Sequence, residues 1–127
     1  PSGLALDSIQ RIIVSSLEKN MIHILTDQKK TAINFGSKGS GPNHFMHPYY
    51  VAVNSHDDVV VSDSGNHRVK VHGINGQLKL MIGSQGHKES QFFYPMGVCV
   101  DKWDNIYVAD SNNYRIQVFS PEGQFLA

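Results

Sequence analysis

The hydrophobic and polar positions divide the chain into short apolar runs separated by turn-forming residues, with no sustained helical period. Val51-Ala52-Val53 and Val98-Cys99-Val100 are continuously apolar and predict strands buried on both faces. A polar turn (Asp57-Asp58; Asp104-Asn105) leads to second strands over Val59–Asp63 and Ile106–Asp110. Tight links, Ser64-Gly65-Asn66-His67 and Ser111-Asn112-Asn113-Tyr114, precede third strands that alternate polar and apolar residues, Arg68–Val71 and Arg115–Val118. Asn75-Gly76 and Glu122-Gly123 mark the next turns, after which fourth strands begin at Gln77-Leu78 and Gln124-Phe125.

This pattern repeats with a shift of 47 residues, giving units 1–47, 48–94 and 95–127 headed by Pro1, Pro48 and Pro95. The third unit matches the second at 12 of 33 aligned positions without a gap. The first is more divergent and keeps 9 of 47. Four short strands per unit at this period predict an all-β fold: a β-propeller fragment of nearly three four-stranded antiparallel blades. A flat sandwich of duplicated hairpins fits less well, because sandwiches rarely repeat at a constant period. Between blades run Phe35-Gly36-Ser37-Lys38-Gly39 to His44-Phe45-Met46-His47-Pro48, and Ile82-Gly83-Ser84-Gln85-Gly86 to Gln91-Phe92-Phe93-Tyr94-Pro95. Phe45 and Phe92 are placed to plug the seams between neighbouring blades. Three such blades leave open sheet edges, which pair readily with other chains.

Composition narrows the class of protein. Hydrophobic residues make up 40% and charged residues 17%, which argues for a packed core and against disorder. Eleven basic residues balance eleven acidic ones, so no net charge draws the chain to DNA or an anionic membrane. No apolar run approaches the roughly 18–20 residues of a membrane-spanning helix. The lone Cys99 rules out an internal disulfide framework, and no Asn-x-Ser/Thr site occurs; both features suit a cytoplasmic protein. An opening Pro-Ser-Gly, without Met or a signal peptide, reads as an excised piece.

Tyr94-Pro95-Met96-Gly97-Val98-Cys99-Val100-Asp101, followed by Asn105–Phe119, resembles an NHL repeat nearly position for position. Ser62–Val71 resembles it equally, whereas the first unit carries Ser16 and Met21 where the others carry Asp and Arg. The resemblance spans the chain and implies a six-bladed propeller, of which this is under half. The inter-blade spelling is most similar to the C-terminal propellers of tripartite-motif (TRIM-NHL) proteins. That implies an upstream RING, B-boxes and a coiled coil, with ubiquitin ligation and zinc confined to those modules and oligomerisation through the coiled coil. No cofactor is implied for this segment. The propeller's implied role is to select protein substrates, or alternatively single-stranded RNA as in brain-tumor type translational repressors. Extracellular amidating lyases share the repeat, but the cysteine and glycosylation pattern disfavours them.

Two sets of residues carry the candidate chemistry. Asp63/Arg68 and Asp110/Arg115 end and begin consecutive strands, so each forms a cross-strand pair expected to pin its hairpin by about 0.2–1 kcal/mol. The first unit replaces both members together, as a coupled pair should. The second set is Ser64, Gly65, Asn66, His67, Ser111, Asn112, Asn113 and Tyr114 in the links, with His47, Tyr49, Tyr94 and Met96 around the blade-heading prolines. In a propeller these open on one face, where a protein partner or splayed bases would bind. The Tyr94-Pro95 step resembles an RNA contact of the brain-tumor type proteins, but basic residues are few in these loops. His44 and His47 lack the Cys or carboxylate neighbours of a zinc site, and no Gly-x-Ser-x-Gly or activated-Cys pattern marks a hydrolase.

Overall fold

The computed structural model describes residues 1–25 and 31–127. Its first sheet comprises β1 (Gly3–Leu6), β2 (Ile12–Ser16), β3 (Met21–Leu25) and β4 (Thr31–Phe35). The second comprises β5 (Pro48–Val53), β6 (Val59–Asp63), β7 (Arg68–His72) and β8 (Leu78–Ile82), and the third β9 (Pro95–Val100), β10 (Ile106–Asp110) and β11 (Arg115–Phe119). Each sheet pairs antiparallel in chain order, and a bridge from Phe119 to Phe125 begins a fourth edge in the third. These are the blades that the repeat predicts. The first strands extend back to Pro48 and Pro95, each across a register shift. No described helix is long and apolar enough to cross a membrane.

The sheets pack face to face, with β1, β5 and β9 side by side. The 47-residue equivalence explains both seams. Ile13, Ile22 and Ile24 of the first blade meet Val51, Val59 and Val61 of the second. Val60, Val69, Val71 and Ile82 on the second blade's other face meet Ile106, Val108 and Phe119 of the third. Phe45 and Phe92 sit wholly buried in these seams as plugs. Gly36 and Gly83 make room for them: a Cβ at either glycine would fall within 2.5 Å of the ring, and φ there is +99° and +98°.

Two expectations need correction. β9 is not buried on both faces, because no blade among the described residues covers its outer side, and Cys99 is exposed. In β7 the polar positions of the alternating pattern are as buried as the apolar ones, since blades and loop cover both faces; Lys70 and His72 lie in the interior. The Lys70 ammonium donates to the His44 carbonyl at 2.6 Å and lies 4.0 Å from the centre of the Phe45 ring. Burial, with Arg68 nearby and only partly offset by Asp63, lowers its pKa to about 8.

Candidate partner-binding face

Strand register fixes which loops share an end. Pro48 lies opposite Asp63 and Pro95 opposite Asp110, so each inter-blade loop meets the link between its blade's second and third strands. Both links are single 3-10 turns, Ser64–Asn66 and Ser111–Asn113. Each ends on a residue in the left-handed region, His67 or Tyr114, and Asn20 holds the same conformation in the first blade. His47 and Tyr94, just before the blade-heading prolines, are also left-handed. Such φ values are uncommon in non-glycine residues and persist where surrounding contacts enforce them.

Those contacts are specific. Arg68 Nε donates to Asp63 Oδ2 at 2.8 Å, and its terminal nitrogens donate to the carbonyls of Ser40, Gly41 and His44. Asp63 Oδ1 accepts the Met46 N–H at 2.7 Å. In the third blade Asp110 accepts from Arg115 and from the Phe93 N–H, while Arg115 reaches the carbonyls of His87, Lys88 and Gln91. The pairs therefore lie across the strands in register, but they anchor the inter-blade loop as well as the hairpin.

The same network engages much of the second candidate set. Asn66 Nδ2 donates to the Gly39 carbonyl and Asp63, and Asn113 Nδ2 to the Gly86 carbonyl and Asp110. Buried Ser64 donates to the Pro95 carbonyl. His67, also buried, stacks on Phe93 and accepts the Tyr94 N–H on Nδ1 at 3.0 Å; Asn20 receives the His47 N–H in the same way. Burial lowers the His67 pKa against the opposing pull of Asp110 and Asp63, which favours the neutral ring this acceptor role needs.

His47, Tyr49, Ser64, Gly65, Tyr94 and Met96 are brought together. With Leu17 they line a groove of about 280 Å³ where all three blades meet. Leu17 escaped the sequence reading, although it occupies the first-unit position of Ser64 and Ser111. Gly65 donates its N–H to the Met46 carbonyl as Asn112 does to Phe93, and a Cβ here would meet the Met46 side chain at 2.5 Å and its carbonyl oxygen at 2.7 Å. Ser111, Asn112, Asn113 and Tyr114 lie outside the groove at the corresponding place in the third blade, with Tyr114 95% exposed.

Antiparallel blades joined by repeating loops and packed around adjacent first strands define a β-propeller segment. Residues 45–71 and 92–119 match the NHL repeat, so these two stretches of the propeller segment are NHL repeats. Among known relatives, the Protein brain tumor of Drosophila melanogaster is 35% identical over 79 residues, 61% of this chain and 8% of that protein. The E3 ubiquitin-protein ligase NHLRC1 of Rattus norvegicus is 35% identical over 80 residues, 62% of this chain and 20% of the ligase. The aligned region thus spans a fifth or less of either relative. In structure, a virginiamycin B lyase from Staphylococcus aureus superposes with a TM-score of 0.78 over 99% of this chain and 40% of the lyase. At 14% identity the likeness is one of fold.

Proposed function

We propose that this segment is the partner-recognition part of a TRIM-type ubiquitin-protein ligase acting in the cytoplasm, and that its groove takes an apolar side chain from a protein. The observation that carries the binding mode is the groove's chemistry. Tyr94, Met96, Tyr49 and Leu17 line it with a single imidazole, that of His47, while Ser64 and the neighbouring Asn66 and His67 direct polar atoms into the fold. A nucleobase needs hydrogen-bonding groups to read its edge, whereas an apolar anchor needs a desolvated slot beside aromatic rings. Similarity to a ubiquitin-protein ligase supports the same reading.

Panning a random peptide library against the chain should enrich peptides sharing one large apolar residue. Replacing both Tyr94 and Met96 with alanine should weaken their binding by about tenfold or more. Unchanged binding in that double variant contradicts the proposal. The second reading, a single-stranded RNA reader in translational repression, draws on exposed Tyr94 and Tyr114 as stacking surfaces. Enrichment of RNA from a random pool at low salt, with no peptide consensus, would favour it instead.

A further inference from the structure

The opposite end of the blades holds a second concavity, of about 530 Å³, between the second and third blades. Its floor and walls include Leu80, Pro121 and Trp103. Trp103 is the chain's single tryptophan and is 67% exposed. A large aromatic side chain left in water beside a cleft is a common anchor for partner binding.

The charges around the cleft are unequal. Three carboxylates, Asp58, Asp104 and Glu122, face Lys79 and His56, whose Nε2 lies 3.8 Å from Asp104 Oδ2. Lys79 pairs with Asp58 at 2.8 Å. Asp104 accepts the Ser55 N–H at 2.9 Å and the Ser55 hydroxyl at 2.5 Å, which fastens the β9–β10 turn to the second blade. Among the described residues, Glu122 makes no ion pair or side-chain hydrogen bond. The turn carrying Trp103 is braced further by Asp101, whose Oδ1 accepts the N–H groups of Trp103 and Asn105. The walls are therefore held in place before any partner arrives. The Lys102 ammonium lies 4.6 Å from the ring centre, a cation–π contact within the chain itself.

We propose that this cleft docks an arginine side chain of a partner protein, its guanidinium stacked on Trp103 and directed toward Glu122 and Asp104. Arginine fits better than lysine because its planar group stacks on an aromatic ring while its edge donates to carboxylates. The negative excess disfavours phosphate-bearing ligands. This surface is distinct from the groove at the other end and does not depend on it.

The test is titration of the whole chain, at pH 7 and low salt, with the peptide acetyl-Gly-Arg-Gly-Arg-Gly-amide and its glutamate counterpart. Trp103 emission should change saturably with the arginine peptide and not with the glutamate one. With a fluorescein-labelled arginine peptide, Trp103→Ala and Glu122→Gln should each weaken binding by about fivefold. Glu89→Gln, which removes an exposed carboxylate elsewhere, should not. Circular dichroism should show all three variants folded, as their exposed positions require. No saturable response, parent-like binding by Trp103→Ala, or an equal loss in Glu89→Gln would overturn the proposal.

Discussion

Asp63→Ala is expected to lower the chain's unfolding free energy by about 3–5 kcal/mol, several times the value of an ordinary hairpin pair. The carboxylate is wholly buried and holds three donors: the Met46 N–H, Asn66 Nδ2 and Arg68 Nε. Its removal leaves a guanidinium in the interior with only carbonyl partners and strands the Met46 N–H. Arg68→Ala should also be costly, because it releases the carbonyls of Ser40, Gly41 and His44 from their anchor. The double variant should lose less than the sum of the single losses, by at least about 1 kcal/mol. Asp110→Ala and Arg115→Ala should show the same non-additivity with smaller losses, since the Arg115 side chain is 29% exposed against 10% for Arg68. Urea melts of the four single and two double variants measure this directly. Additive losses would remove the coupling.

The second large effect is acid sensitivity seated at His72. This ring lies against Phe35 and Phe45, and its Nδ1 donates to the Gly76 carbonyl at 2.9 Å. Nε2 is buried without a partner among the described residues. Burial drives the pKa down to about 4; Gly76 opposes this, while Lys70 and Arg68 reinforce it. Between pH 6.5 and 4 the unfolded chain therefore binds a proton that the folded chain refuses. Stability is fully present above pH 6.5 and falls toward pH 4, by roughly 3 kcal/mol for this group alone. The repeat itself supplies the test, because Phe119 occupies the equivalent position and packs on Phe92 as His72 packs on Phe45. His72→Phe should stabilise the chain and flatten the acid limb of its stability profile. If the pH 4–6.5 slope is unchanged in that variant, the acid sensitivity lies elsewhere.

The strand order was legible in the sequence because turns are spelled by residues with local conformational reasons to be there, such as Asn75-Gly76 and Glu122-Gly123. The seam plugs were legible because Phe45 and Phe92 follow paired glycines at a fixed interval. Burial of Lys70 and His72 was not, since alternating residue types carry no record of a loop folding over the strand. Asn66, Asn113 and His67 read as free binding groups for a related reason. Short links need amides and hydroxyls whether these face a ligand or the next loop, and only the bonds to Gly39, Gly86 and Tyr94 reveal which. The groove emerged in part: its members from the second and third units were visible, but Leu17 was hidden in the divergent first unit.

Recognition of a protein partner in the groove where the three blades meet is open to direct measurement. Hydrogen–deuterium exchange of the chain, with and without an apolar peptide selected by panning, tests it most directly. New protection is expected to be confined to the backbone around His47, Ser64-Gly65 and Tyr94-Pro95-Met96. Protection centred instead on the turns at the opposite end, or no localised protection at saturating peptide, would contradict it.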